Sequence, residues 1–297
     1  MTAPHPLRPS LREAVADYVT LTKPRIMLLI LITAFGAMAF AADGLPRVEL
    51  ALVTLFGLGM SSGGASAINH VLDRDIDARM RRTSMRPVAA GRVSVEAATG
   101  FGIGLIVAST AVLALYVNAL TAALALSGAL FYVVVYTWWL KRRTVQNIVI
   151  GGAAGAVPPL VGWAAVTGHV ALPAVFMFAL VFYWTPPHFW ALAILTKDDY
   201  ASAGVPMLPV VRGERETAHQ ILLYTVLLVG LSLLPFLSQT FGTVYLAAAV
   251  ALGGWFLLLA VRLVRDTSRA NARAVFLFSL AYLTLMFAAI GVDRVKF

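Results

Sequence analysis

The residues of this chain best suited to chemistry form one short run, Asn69-His70-Val71-Leu72-Asp73-Arg74-Asp75-Ile76-Asp77, at the end of an apolar stretch. Asn69, Asp73 and Asp77 stand four residues apart. On an α-helix that step returns to the same face, so the three side chains stack about 6 Å apart while Asp75 points away. An amide oxygen and two carboxylates are hard ligands, and Mg²⁺ is held by a few such groups together with substrate phosphates and water. Because the stripe caps a membrane helix at an end expected to be open to water, it suggests a diphosphate with a greasy remainder. Simple solvation is the plainer reading of a lone Asp at such an end, whereas three oxygen ligands at this spacing favour the metal.

Other polar groups sit where that chemistry would use them. Arg79, Arg81, Arg82 and Arg86 follow the stripe; charge alone makes them a positive-inside anchor, but beside a diphosphate they offer bidentate phosphate recognition. Lys197-Asp198-Asp199-Tyr200 is a second acidic cluster. His188 follows Pro186 and Pro187 deep in an apolar run, where a polar group is expensive. A satisfied structural histidine and a ligand or proton carrier are both compatible with that position. Trp184 and Trp190 are close enough in sequence to line a flat aromatic pocket with it.

The elements that must position these groups are membrane helices. The chain is 60% hydrophobic and 12% charged, with a mean hydropathy of +0.84, outside the mix of soluble domains. Apolar runs long enough to span about 30 Å of hydrocarbon recur near residues 26–43, 50–71, 98–117, 119–140, 145–168, 171–196, 219–239, 243–264 and 273–292. The fifth and sixth are interrupted by Gly151, Gly152, Pro158, Pro159, Pro186 and Pro187, breaks that membrane helices tolerate where neighbours or a cavity re-satisfy the backbone.

Basic residues crowd alternate connections: Arg8, Arg12, Lys23 and Arg25 in the N-terminal arm, then the arginines after span 2, then Lys141, Arg142 and Arg143. Lys197, Arg212 and Arg215 follow span 6, and Arg262, Arg265, Arg269 and Arg273 lie between spans 8 and 9. Only Arg47, Arg294 and Lys296 fall on the other side, which predicts a cytoplasmic N-terminus and an external C-terminus. The two longest cytoplasmic connections follow spans 2 and 6, each beginning with acids, so the chain reads as a weak repeat of four helices plus a ninth. The two acidic clusters are then expected to face each other across one cytoplasmic cavity.

Residues 1–297 are expected to form a single transmembrane domain, with residues 1–20 a flexible cytoplasmic arm and no cleavable signal peptide. The net charge of +9 is explained by topology, and with no basic soluble module nucleic acid is excluded as a partner. The absence of cysteine excludes disulfides and thiolate metal sites.

The Asn-X3-Asp-X3-Asp helix end, with a second acidic site four helices later in a nine-span bundle, resembles the UbiA superfamily of intramembrane prenyltransferases. Several blocks narrow the likeness to its haem-farnesylating branch: Thr22-Lys23-Pro24-Arg25-Ile26; Asn69 through Arg86-Pro87; Tyr136-Thr137 with Leu140-Lys141-Arg142; Asn147 through Pro159; Pro187-His188-Phe189-Trp190; and Lys197 through Pro209. The resemblance covers about residues 18–292.

That resemblance implies an all-α membrane bundle with a central cavity open to the cytoplasmic side. It implies farnesyl transfer from farnesyl diphosphate to the 2-vinyl group of haem B, giving haem O. Mg²⁺ would be held by Asn69, Asp73 and Asp77, with Asp198 and Asp199 as the second acidic site. Lys23, Arg25, Lys141 and Arg142 would contact the diphosphate. Lipid bilayer and a haem A synthase are the further partners implied. The second site departs from the superfamily pattern, with two adjacent acids and His188 in place of a longer acidic run, which suggests a different acceptor. A quinone-pathway prenyltransferase and a secondary transporter are the competing classes; the Pro187-His188-Phe189-Trp190 block opposes the first, and acids at helix ends rather than the midplane oppose the second.

Overall fold

The computed structural model describes residues 10–293 of the chain. Among them there is no strand, and nine helices are long and apolar enough to cross a membrane. A short helix α1 (Leu11–Leu21) precedes span 1, α2 (Pro24–Ala41), and span 2, α3 (Val48–Leu72). After a six-residue helix α4 (Arg74–Arg79) come span 3, α5 (Val95–Tyr116), and span 4, which runs as α6 (Ala119–Leu130) and continues π-helically over Phe131–Leu140. Spans 5 and 6 are α7 (Asn147–Thr167) and α8 (Leu172–Leu195). Two short helices, α9 (Lys197–Ser202) and α10 (Leu208–Val211), lead to spans 7, 8 and 9: α11 (Gly213–Leu237), α12 (Thr243–Arg265) and α13 (Arg269–Val292).

The repeat is visible in the connections, since α4 after span 2 and α9 after span 6 are both six-residue helices with two acids in the first turn. The prolines of α7 and α8 do not break those helices. Small residues let the spans approach. A Cβ on Gly64 of α3 would lie 2.5 Å from the carbonyl oxygen of Gly102 on α5, and one on Gly162 of α7 would lie 2.1 Å from the carbonyl oxygen of Ala34 on α2. In lipid, where apolar burial gives helices little reason to associate, such backbone approach provides the packing.

Of the arm expected at residues 1–20, residues 1–9 lie outside the described residues and residues 11–20 are helical. Ser10 and Glu13 form a capping box, in which the Ser10 hydroxyl accepts from the Glu13 amide and the Glu13 carboxylate accepts from the Ser10 amide, and the chain is helical from Leu11. Asp17 ties α1 to the connection after span 2 through Arg92, 2.8 Å away. Arg8, Arg294 and Lys296, used above to assign topology, lie outside the described residues.

The basic connections gather at one end of the bundle. Ser202 donates to the carbonyl of Arg79, Arg269 donates to that of Leu195, and Lys141 reaches Asp73. These contacts bring together the connections after spans 2, 4, 6 and 8.

Candidate active site

Asn69 sits in the last turn of α3, Asp73 where α3 passes into α4, and Asp77 within α4. All three are buried, Asp73 and Asp77 at 0% exposure. This corrects the expectation of a water-accessible stripe: the chain after Arg79 folds back over it, with Thr83 donating to the Asp77 carbonyl and Arg86 to its carboxylate. Asp75 points away as expected, paired at the surface with Arg142 at 2.6 Å; the guanidinium hydrogen bonds hold its carboxyl down at about 2.

Each residue of the stripe is met by a base. Lys23 donates to Asn69 Oδ1 at 2.6 Å, Lys141 to Asp73 Oδ2, and Arg86 Nη1 to both oxygens of Asp77 at 2.8 Å. The Asn69 amide nitrogen completes the knot, donating to Asp73 Oδ2 at 2.8 Å and to Thr137 Oγ1 at 3.1 Å. Lys23 adopts a left-handed backbone (φ 51°) immediately before Pro24, a conformation that costs a non-glycine residue about 1–3 kcal/mol and is retained where function requires it. Burial, with Arg86 and Lys141 as cationic neighbours, pushes its ammonium down to about 7.

The π-helical end of span 4 supplies the opposite wall. Its wider turn bonds residue i to i+5, as when Lys141 N–H donates to the Tyr136 carbonyl at 2.9 Å and Thr137 Oγ1 to the Tyr132 carbonyl at 2.8 Å. Thr137 is thereby brought to Asn69 and Lys141 to Asp73, while the Tyr132 hydroxyl accepts from Lys23 at 3.4 Å. Helices of this kind recur at functional sites. No sequence signal announced this one, so Tyr132 and Thr137 were missed.

The other expected residues are distributed differently. The connections after spans 2 and 6 do meet, but Asp199 accepts from the backbone amides of Arg81 and Arg82, 3.3 Å each, while Asp198 is exposed. Arg82 also bonds Tyr200. Arg142 is not in the buried knot: it is committed to Asp75 and to the carbonyl of Leu72. Arg25 and the Arg81 side chain are exposed. Asn147 is buried, with its amide nitrogen on the Thr144 carbonyl and its oxygen unpartnered.

His188 lies in an aromatic stack between Trp184 (centroids 4.4 Å apart) and Phe276 (4.9 Å). Trp190 does not join it, because two residues along a helix turn it to another face, where it meets Tyr224 edge-on at 5.3 Å. His188 Nδ1 is 2.7 Å from Ser279 Oγ, and Ser279 in turn donates to the Phe276 carbonyl at 2.6 Å. With its one hydrogen spent, the hydroxyl can only accept, so Nδ1 carries the imidazole proton and Nε2 is a bare acceptor. Nε2 has no partner among the described residues.

Among the described residues no three acidic or imidazole groups stand together as a ready metal cage. The donor set nevertheless fits Mg²⁺: it is all oxygen, and Asp73 Oδ1 is buried without a hydrogen-bond partner. A sealed, unsatisfied carboxylate oxygen is costly unless something charged meets it.

Comparison with known proteins gives the family. The profile of the UbiA prenyltransferase family matches residues 30–287. The protoheme IX farnesyltransferase of Symbiobacterium thermophilum is 54% identical over 283 residues, covering 95% of this chain and 95% of that protein. That of Gloeobacter violaceus is 51% identical over 288 residues, covering 97% and 94%. Among solved structures, a digeranylgeranylglyceryl phosphate synthase superposes with a TM-score of 0.78 at 20% identity, covering 96% of this chain and 100% of the other. A UbiA homolog from Archaeoglobus fulgidus bound to DMAPP and Mg²⁺ superposes at 0.67 and 18% identity, covering 93% and 99%. The chain is a multi-pass membrane protein and belongs to the UbiA prenyltransferase family.

Proposed function

We propose that this protein transfers a farnesyl group from farnesyl diphosphate to the 2-vinyl group of haem B, giving haem O. The observation that carries this reading is identity above 50%, over nearly the whole chain, to proteins named protoheme IX farnesyltransferase. The buried knot around Asp73 is what gives that reading its chemistry.

Each carboxylate of the knot is paired with a base that itself binds phosphate well. Loading a diphosphate exchanges these partners: Lys23, Lys141 and Arg86 turn to phosphate oxygens, and Asn69, Asp73 and Asp77 are freed. Mg²⁺ held by those three residues, with Asp198 and Asp199 as a second acidic site, would neutralise the charge growing on the departing diphosphate. When the allylic carbon–oxygen bond breaks, its electron pair stays with the diphosphate. The three bases stabilise that charge from fixed positions, without the reorganisation that water would need. The vinyl π pair of haem B then attacks the farnesyl cation, and water adds to the resulting carbocation with loss of a proton. Arg25 and Arg81, exposed at the same end, collect the anionic substrate from solution.

His188 is the residue we assign to the acceptor, its bare Nε2 ligating or orienting the haem. It lies seven residues, about 10 Å, before the end of α8 at Leu195, deeper than the acids of α9. We further assign the basic end of the bundle to the cytoplasm and the product to a haem A synthase or directly to a terminal oxidase.

Cells expressing the chain should contain a haem heavier by one farnesyl and one hydroxyl group, identified by mass. In the purified protein, chelation of divalent metal should stop turnover and leave haem binding intact. An unchanged haem, with a prenylated phenolic acid or naphthoate in its place, would overturn the assignment of acceptor.

A further inference from the structure

His70, next to Asn69, is 1% exposed, and neither of its ring nitrogens has a hydrogen-bond partner among the described residues. An imidazole always presents at least one N–H, and a buried donor left unmade is costly. The rest of its helix face shows where it points. A Cβ on Gly63 would lie 3.1 Å from Thr22, and one on Gly59 3.4 Å from the Met27 sulfur. His70 lies two turns beyond Gly63 on that same face, toward the junction of α1 and α2 that carries Lys23. Asn69, its neighbour in the chain, accepts from Lys23 and donates to Asp73, so the knot of three bases begins one residue away. Those bases are each committed to Asn69, Asp77 or Asp73. His70 is committed to nothing among the described residues.

We propose that His70 is a diphosphate-contacting residue, its N–H donating to a phosphate oxygen beside Lys23. This deepens the functional reading above and rests on its diphosphate site. A preformed, uncommitted donor is complementary to the incoming oxyanion without first breaking an ion pair. The ligand's hydration water fills the remaining ring nitrogen, and the unsatisfied imidazole is thereby completed only in the loaded state. A hydrogen bond to a charged partner contributes about 1.5–3 kcal/mol, which corresponds to about 10- to 100-fold in affinity.

The test uses the full chain, labelled with ¹⁵N-histidine, in lipid nanodiscs. Adding Mg²⁺ and inorganic diphosphate should shift the His70 side-chain resonance, assigned by its absence in His70→Gln. The Kd for farnesyl diphosphate should rise at least about tenfold in His70→Phe and return to within about threefold of the parent in His70→Gln, which keeps an N–H donor; haem affinity should not change. A resonance that ignores diphosphate, or a parental Kd in folded His70→Phe, would overturn the assignment while leaving the site reading standing. Should His70→Phe fail to fold, the resonance shift in the parent decides alone. A parent that binds no diphosphate with Mg²⁺ would overturn both.

Discussion

Arg86 closes on Asp77 with one guanidinium nitrogen 2.8 Å from each carboxylate oxygen, although Asp77 is fully buried and nine residues away in sequence. The pairing changes how the acidic stripe must be tested. Removing one partner of a buried pair leaves the other charge uncompensated, at a cost of about 3–5 kcal/mol. Any substitution that removes the charge of Asp73 or Asp77 therefore mixes chemistry with folding, and alanine adds a cavity to that cost. Asp73→Asn and Asp77→Asn keep the shape and remove the charge, and each should lower prenyl transfer at least about 100-fold, about 2.7 kcal/mol at the transition state. The thermal midpoint of each variant separates activity loss from unfolding. Asp75→Asn breaks an exposed pair worth at most about 1 kcal/mol and should stay within about threefold of parental activity. Equal losses at all three positions would refute the assignment of one buried face.

Ser279 fixes which nitrogen of His188 is bare. Ser279→Ala should therefore weaken haem binding about three- to tenfold, as loss of one hydrogen bond costs about 1 kcal/mol, and should alter the haem absorbance spectrum. His188→Ala should weaken it more. Farnesyl diphosphate affinity should be unchanged in both. An unaltered haem titration in His188→Ala would make the imidazole a structural part of its aromatic stack.

Gly162 is the tightest helix–helix approach given by the glycines, so Gly162→Ala has to push α7 off the Ala34 carbonyl of α2. Overpacking against backbone costs about 1–3 kcal/mol or more. A clear fall in thermal midpoint in detergent should result, whereas Gly155→Ala, on the same helix with open space at its Cβ, should be neutral.

Fusions of a compartment-sensitive reporter should read cytoplasmic at the N-terminus and external at the C-terminus. Two cytoplasmic readings would overturn the odd number of spans.

The sequence by itself determined the membrane bundle, because a run of about 20 apolar residues has few alternatives in water or lipid. It determined the family, and it singled out Asn69, Asp73 and Asp77 as polar residues at a helix end, because helical spacing is local. Only the tertiary structure decided which base each acid meets. Lys23, Lys141 and Arg86 reach the stripe from three different segments, while Arg142, one residue from Lys141, is turned outward to Asp75. Charge patterns cannot separate neighbours that a single residue step sends to different faces. A two-residue step likewise separates His188 from Trp190. The π-helical turn that aligns Thr137 with Asn69, and the Ser279 hydroxyl that sets the His188 tautomer, were illegible for a further reason: each is a hydrogen bond whose partner or register exists only once the helices have packed.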